Sequence, residues 1–329
     1  MSWDKQFREE LFHIDESTFN EWAVALFRQQ VQDNPVYRQF VDLLNVEPAN
    51  VQNIEDIPFL PVELFKSKNI YLQSLAQPEA IFYSSGTSGQ QQSRHLVRDI
   101  SLYEESCLAT FRMFYGDPSN YCIVALLPSY FEQSHSSLVY MTDLLIHRSQ
   151  HPLSGFYLHD YRNLWKTLNE LRSRQEPIFL LGVSFALWEL AEQYPMDLSG
   201  SIIMETGGMK GKRKELVRQE LHNILKDAFN VEAIHSEYGM TELLSQAYAT
   251  GEGRFRSPPR MKILIRDPYD PFSINPIGQT GGINIIDLAN IYSCSFIQTS
   301  DLGKIHADGS FEVLGRFDES DVRGCNIMI

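Results

Sequence analysis

From about residue 80 onward the chain alternates short apolar runs with helical stretches, and this alternation restricts its fold more than any other feature. Cys122–Leu127, Ile178–Leu181, Ile202–Met204 and Glu232–His235 read as strands. The clearest helix between them runs from Lys212 to Phe229, with Leu216, Leu221, Ile224, Leu225 and Phe229 at helical spacing. Strands that are apolar at every position are covered on both faces. The pattern therefore predicts an α/β fold built on parallel sheets covered by helices. Residues 1–45 are helical by the same period, and a break at Asp33-Asn34-Pro35 starts a new helix. Pro48, Pro58 and Pro61 then mark a link, so residues 1–75 read as a helical N-terminal region. Beyond Arg260 short strands (Lys262–Asp267, Gly282–Asp287, Ser295–Thr299, Phe311–Leu314) are separated by Gly, Pro and Asp turns. They predict a small β-rich subdomain over about 260–314.

A chain of 329 residues can bury a large core. Its formal charge of −14 excludes a general nucleic-acid surface, because phosphate backbones need basic patches. A nucleotide is still compatible, since a small ligand needs only local cations or magnesium. No window of about 18 uninterrupted apolar residues suggests a membrane span. Met1-Ser2-Trp3-Asp4-Lys5 does not open a secretory signal. The four cysteines, Cys107, Cys122, Cys294 and Cys325, include no C-x-x-C pair and suggest neither a disulfide framework nor a zinc site. A reducing cytoplasm is the expected setting.

The chemistry concentrates in a few polar segments. Tyr83-Ser84-Ser85-Gly86-Thr87-Ser88-Gly89 follows the strand-like run Ala80-Ile81-Phe82 and precedes a second, His95-Leu96-Val97-Arg98. It therefore reads as a hairpin tip whose glycines let backbone approach a ligand while the hydroxyls add donors, an arrangement suited to nucleotide phosphates. The Gly-Lys-Ser/Thr of a Walker loop is missing, for Gly89 leads into Gln90-Gln91-Gln92. Ser236-Glu237-Tyr238-Gly239-Met240-Thr241-Glu242 follows a strand, where open α/β sheets place ligands. There Tyr238 could stack on a base and Glu242 could hold magnesium against phosphates. Glu205-Thr206-Gly207-Gly208 also follows a strand, and its backbone could meet an adenine edge. Asp301, beside Thr299 and Ser300, could accept from ribose hydroxyls. Gly315-Arg316-Phe317-Asp318 then runs toward Arg323-Gly324-Cys325.

Taken in order, Ser84–Gly89, Tyr238–Glu242, Ser300-Asp301 and Gly315–Asp318 resemble the motifs of the adenylate-forming superfamily, and span most of the chain. Within it the chain looks most like the LuxE-type acyl-protein synthetases, in the style of phenylacetate-CoA ligases. The resemblance implies the large N-terminal domain of an adenylate-forming enzyme over residues 1–314, with 315–329 as a hinge-like tail. It implies ATP and Mg2+ as cofactors, with a carboxylic acid, by the LuxE likeness a fatty one, as substrate. The acid would be activated to an acyl-adenylate and passed to a thiol, here Cys325, whose pKa the neighbouring Arg323 could lower. Glu242 and Thr87 would share the catalytic work. The nucleotide would meet Ser84, Ser85, Gly86, Thr87, Ser88, Gly89, Gly207, Gly208, Tyr238, Gly239, Met240, Thr241, Asp301 and Arg316. Tyr130 and His135 would line the acyl pocket, and an acyl reductase or acyl-carrier protein would receive the product.

Two departures stand out. The usual small C-terminal domain with its catalytic lysine is not found before Ile329, and Gln90–Gln92 stand where a Pro-Lys often follows the phosphate loop, so Arg94, Lys210, Lys304 or a partner would have to supply charge instead. Three other functions compete. One is an acyl- or aryl-CoA ligase completed by another polypeptide, and another is a module that binds nucleotide or acyl-adenylate without turnover. The third is a serine hydrolase, prompted by the near-elbow Gly182-Val183-Ser184-Phe185-Ala186. That hydrolase reading lacks the second glycine and an oxyanion motif.

Overall fold

Asn34 shows how locally the N-terminal helices are set. Its side-chain oxygen accepts from the backbone N–H groups of Val36 and Tyr37 at 3.1 and 3.2 Å. Pro35 follows in the first turn, where a helix has no use for its missing N–H. The computed structural model describes residues 3–72, 77–85, 91–127, 135–207 and 216–317. In chain order the elements are α1 (Trp3–Glu10), α2 (Phe19–Asp33), α3 (Pro35–Leu43), β1 (Leu60–Pro61), α4 (Leu64–Ser67), β2 (Ala80–Tyr83), β3 (Arg94–Val97) and α5 (Ile100–Tyr115). There follow β4 (Cys122–Leu126), α6 (Ser137–Ser149), β5 (Gly155–Phe156), α7 (Tyr161–Ser173), β6 (Ile178–Val183), α8 (Ser184–Gln193), β7 (Ile202–Thr206), α9 (Arg218–Phe229) and β8 (His235–Tyr238). The rest are β9 (Ala247–Ala249), β10 (Phe255–Arg256), β11 (Met261–Arg266), β12 (Thr280–Asp287), β13 (Phe296–Ile305) and β14 (Phe311–Arg316).

The chain divides into two units. The first takes in residues up to Tyr103, the short stretch Glu242–Ser245 and residues from Arg256 on; the second holds Glu104–Thr241 and Gln246–Phe255. In the first, β11, β12, β13 and β14 pair antiparallel in sequence order and β1 joins β13 in parallel. The hairpin β2–β3 forms its own small sheet. Helices α2 and α3 close over Phe296, which meets Phe27 and Tyr37 at 6.0 Å and Phe59 at 6.4 Å. Buried amides tie the same helices to the chain before β13. Gln30 Nε2 donates to the Asn290 carbonyl at 2.8 Å, and Asn34 Nδ2 donates to the Ser293 carbonyl at 2.9 Å.

In the second unit β5, β4, β6, β7 and β8 run parallel in that spatial order, and β9 pairs antiparallel with β8. Every residue of β4 and β6 is buried, as a sheet covered on both faces requires. Among the described residues no helix is long and apolar enough to cross a membrane.

Two boundaries differ from the sequence expectation. Helix α9 begins at Arg218 rather than Lys212, and residues 208–215 lie outside those described. The strand expected at Glu232–His235 is His235–Tyr238 instead. Asn230 ends α9 in the left-handed conformation, and pairing with β7 starts only at Met204↔His235. The apolar Val231 and Ile234 therefore belong to the connection, while Ser236, Glu237 and Tyr238 are strand residues.

Replacing Asn34 by Ala removes both the cap and the buried amide donor, and is expected to lower unfolding stability by about 2 kcal/mol. Asn34→Asp keeps the cap oxygen but sets a carboxylate oxygen against the Ser293 carbonyl in a fully buried site, and is expected to lose at least as much. Urea unfolding of the full chain measures both.

Candidate active site

In the first unit the hairpin closes tightly on Ser84. Its N–H donates to the Ser93 carbonyl at 3.1 Å, and its hydroxyl accepts from the Ser93 N–H at 2.9 Å. The Ser84 carbonyl accepts from Gln92 Nε2 at 2.7 Å. Ser84 and Ser85 thus stand where the stem opens; Gly86, Thr87, Ser88 and Gly89 lie outside the described residues. Glu242 is only 4% exposed. Burial raises its carboxyl above the ordinary range, while a hydrogen bond from Ser93 and the charges of Arg316 and Lys66 oppose that rise. Ser93, which no motif singled out, thereby links the hydroxyl-rich hairpin to the acidic end of the Tyr238–Glu242 segment.

Asp301 and Arg316 face each other in register across β13 and β14, with Arg316 Nε 3.7 Å from Asp301 Oδ1. The Arg316 side chain is 86% exposed, so the pair adds little to stability and leaves the guanidinium accessible. The Phe317 N–H donates to the Ser300 carbonyl at 2.7 Å, and its ring lies 5.2 Å from the buried Arg266 guanidinium.

The second unit gathers Gly207 and the Tyr238 segment around two buried carboxylates. Glu205 Oε2 accepts from the Ser184 hydroxyl and Oε1 from the Ser236 hydroxyl, both at 2.8 Å. Arg218 Nε comes within 3.4 Å and His222 Nε2 within 3.6 Å of Oε1. Burial alone would raise Glu205, but these neighbours outweigh it and hold the carboxyl below its usual range. The Ser184 hydroxyl also lies 2.8 Å from the carbonyl of Gly207, which ends β7 at φ +68°. Ser184 is therefore engaged by a carboxylate and a carbonyl rather than by an imidazole, which removes the hydrolase elbow.

Glu237 Oε2 accepts from the Thr206 hydroxyl at 2.5 Å. Burial pushes Glu237 up to about 7; the Glu205 charge adds to this and the Thr206 bond opposes it. Its other oxygen occupies the space a side chain at position 239 would need, which explains Gly239. Tyr238 is buried, with its ring edge-on to Phe255 at 5.9 Å. Gly239 is exposed, and Met240 and Thr241 are half-buried.

The remaining candidates separate. His135 is exposed beside Ser136, the residue that caps α6. His235 packs in β8 against Tyr115 at 3.2 Å, and burial holds it down to about 4. Tyr130, Gly208 and Cys325 lie outside the described residues. Cys107, Cys122 and Cys294 are buried and form no disulfide. Burial pushes Cys122 up to about 11 and Cys294 up to about 12, which leaves them thiols rather than nucleophilic thiolates. Among the described residues no group of three or more His, Cys, Asp or Glu could hold a metal ion.

The fold matches solved enzymes of the adenylate-forming class. One is the 2-hydroxyisobutyryl-CoA ligase in its postadenylation state, with a TM-score of 0.70, 12% identity, and coverage of 94% of this chain and 70% of that one. Another is ATP-bound MatB from Rhodopseudomonas palustris, with a TM-score of 0.54, 20% identity and 72% of this chain covered. The match spans about half of MatB, 48% of its chain. A curated relative, the long-chain-fatty-acid–luciferin-component ligase of Vibrio harveyi, is 24% identical over 323 residues, covering 91% of this chain and 84% of that protein. The family model for acyl-protein synthetase, LuxE, matches residues 12–329, and the chain belongs to that family.

Folding binds a proton at Glu237 wherever its raised folded pKa exceeds the ordinary carboxylate value. That contribution to stability is full below about pH 4.5 and is lost as pH rises through about 7. Relative to Glu237→Gln, the wild type is expected to lose about 3 kcal/mol between pH 5 and 8. Urea unfolding of both proteins across that range measures the difference.

Proposed function

We propose that this chain activates a long-chain fatty acid with ATP and carries the acyl group on its own cysteine, Cys325. Membership of the acyl-protein synthetase family carries this reading. The buried Glu242, joined by Ser93 to the hydroxyl-bearing hairpin, supports it within the first unit. A carboxylate oxygen of the acid attacks the α-phosphorus of ATP. The bond from that phosphorus to the bridging oxygen breaks, and pyrophosphate leaves with the electron pair. A thiolate then attacks the acyl carbonyl carbon of the resulting acyl-AMP, and AMP departs as the carbon–oxygen bond breaks, leaving a thioester.

Bound magnesium would neutralise phosphate charge during the first step. A single buried carboxylate fits an ion that arrives on phosphates better than it fits a resident metal cage. Glu242 is the described residue that would hold it. Ser84 and Ser85 start the phosphate loop that Gly86–Gly89 would complete, with Thr87 as its catalytic donor. Gly207, Gly208 and Tyr238–Thr241 would recognise the nucleoside, Asp301 the ribose hydroxyls and the exposed Arg316 the phosphate charge. Tyr130 and His135 would line the acid's path, residues 315–329 would form the hinge-like tail, and an acyl reductase would accept the product in a reducing cytoplasm. A CoA-dependent transfer is the second reading, favoured by the match to a solved CoA ligase.

Pyrophosphate exchange into ATP is expected with long-chain acids, and Glu242→Gln is expected to slow it by about 100-fold. No exchange with any acid would instead favour a binding module without turnover. Mass spectrometry after incubation with ATP and fatty acid is expected to find the acyl group on the wild type and not on Cys325→Ser. A thioester on the variant would remove Cys325 from the mechanism, and a product formed only with CoA would establish the second reading.

A further inference from the structure

Glu242 lies in a turn, outside any strand or helix, so no backbone ladder fixes its direction. The stretch Glu242–Ser245 nevertheless groups with the first unit, although the chain on either side of it belongs to the second. Two buried side chains account for this, Asp287 at the end of β12 and Asn290 three residues beyond it. Asp287 is fully buried, and its Oδ2 accepts from the N–H groups of Leu244 and Ser245, both at 2.8 Å. Its Oδ1 accepts from the Ser245 hydroxyl at 2.7 Å and the Ala289 N–H at 3.1 Å. Asn290 Nδ2 donates to the carbonyl of Glu242 itself at 2.8 Å and to that of Cys294 at 3.2 Å.

The Asn290 amide cannot turn over, because its nitrogen meets two carbonyl oxygens and an oxygen in its place would face both. Its Oδ1 is buried with no hydrogen-bond partner among the described residues. Burying an unmet acceptor is unfavourable, and such a group calls for a reason. Holding the Glu242 peptide supplies one. We infer that Asp287 and Asn290 are positioning residues, which lock the peptide frame from Glu242 to Ser245 onto the end of β12 and so aim the Glu242 carboxylate at magnesium-bound phosphate.

This inference rests on the proposed role of Glu242. Partners that orient a metal-holding carboxylate act through it and not through the nucleotide, so their loss should appear only when the metal is present. Calorimetry with α,β-methylene-ATP, with magnesium and then with EDTA, separates the two contributions. Asn290→Ala is expected to weaken binding about 10-fold with magnesium and less than about 2-fold with EDTA. An equal loss in both conditions, or none in either, overturns the inference. Ser245→Ala removes only the hydroxyl that reaches Asp287, and is expected to shift binding in the same direction by a smaller factor. If Asn290→Ala does not fold, Ser245→Ala decides by the same criterion.

A wild type that binds no nucleotide in either condition would overturn the proposed function instead. Hydrogen exchange then tests the clamp by itself. The Leu244 and Ser245 amides are expected to be protected in the wild type and to exchange about 10-fold faster in the variants. Unchanged protection overturns the clamp whatever the nucleotide does.

Discussion

The interior of this protein is organised by the need to satisfy charge removed from water. Arg266 is the plainest case. Its guanidinium is buried and donates to the carbonyls of Ile283 and Thr299 at 2.9 and 2.7 Å, and to Asn284 Oδ1 at 3.0 Å. Burial pulls its pKa down to about 10, with Glu63 and Asp301 opposing the fall. The sheet accommodates the group where β12 shifts register, and any side chain at Gly282 would occupy the guanidinium's place. Removing one partner of such a set leaves an unmet charge, which is more unfavourable than never having buried it.

The same requirement explains why the buried carboxylates are unequal. Glu205 has two hydroxyl donors, the Arg218 guanidinium and the His222 imidazole close by, and its carboxyl is held below the usual range. Glu237, one strand over, has a single hydroxyl donor and faces the charge of Glu205, so it holds its proton into the neutral range. Asp287 is rich in donors, yet burial still raises it above the ordinary value. Two acids on neighbouring strands thus differ in charge because of what faces them, not because of their own chemistry.

Much of the fold was legible because apolar runs and turn residues report burial directly. The runs Cys122–Leu127 (up to Leu126), Ile178–Leu181 and Ile202–Met204 are strands, and the polar segment after Phe82 does end a hairpin stem. The strand before Tyr238 was misplaced because Val231 and Ile234 bury in a connection, and hydrophobicity alone cannot tell a buried connection from a ladder. Motifs brought Ser84, Glu242, Asp301, Arg316 and Gly239 to attention. Ser93, Glu205, Asp287 and Asn290 did not announce themselves, since a buried Asp or Ser looks in sequence like one at the surface. Ser184 was the reverse case. Its place between strand and helix imitates an elbow, but only the structure reveals that it answers to Glu205 and Gly207.

The fixing of Phe317 has a kinetic corollary. Its N–H and ring tie the chain down at the end of β14, and Cys325 follows eight residues later. From such an anchor a thiol is confined to a radius of about 29 Å even at full extension. If Cys325 is the acceptor proposed above, a chain of that length would present its thiol at an effective concentration near the millimolar range. A free thiol would have to exceed that level to compete, so chain length alone would favour the attached one before any difference in reactivity.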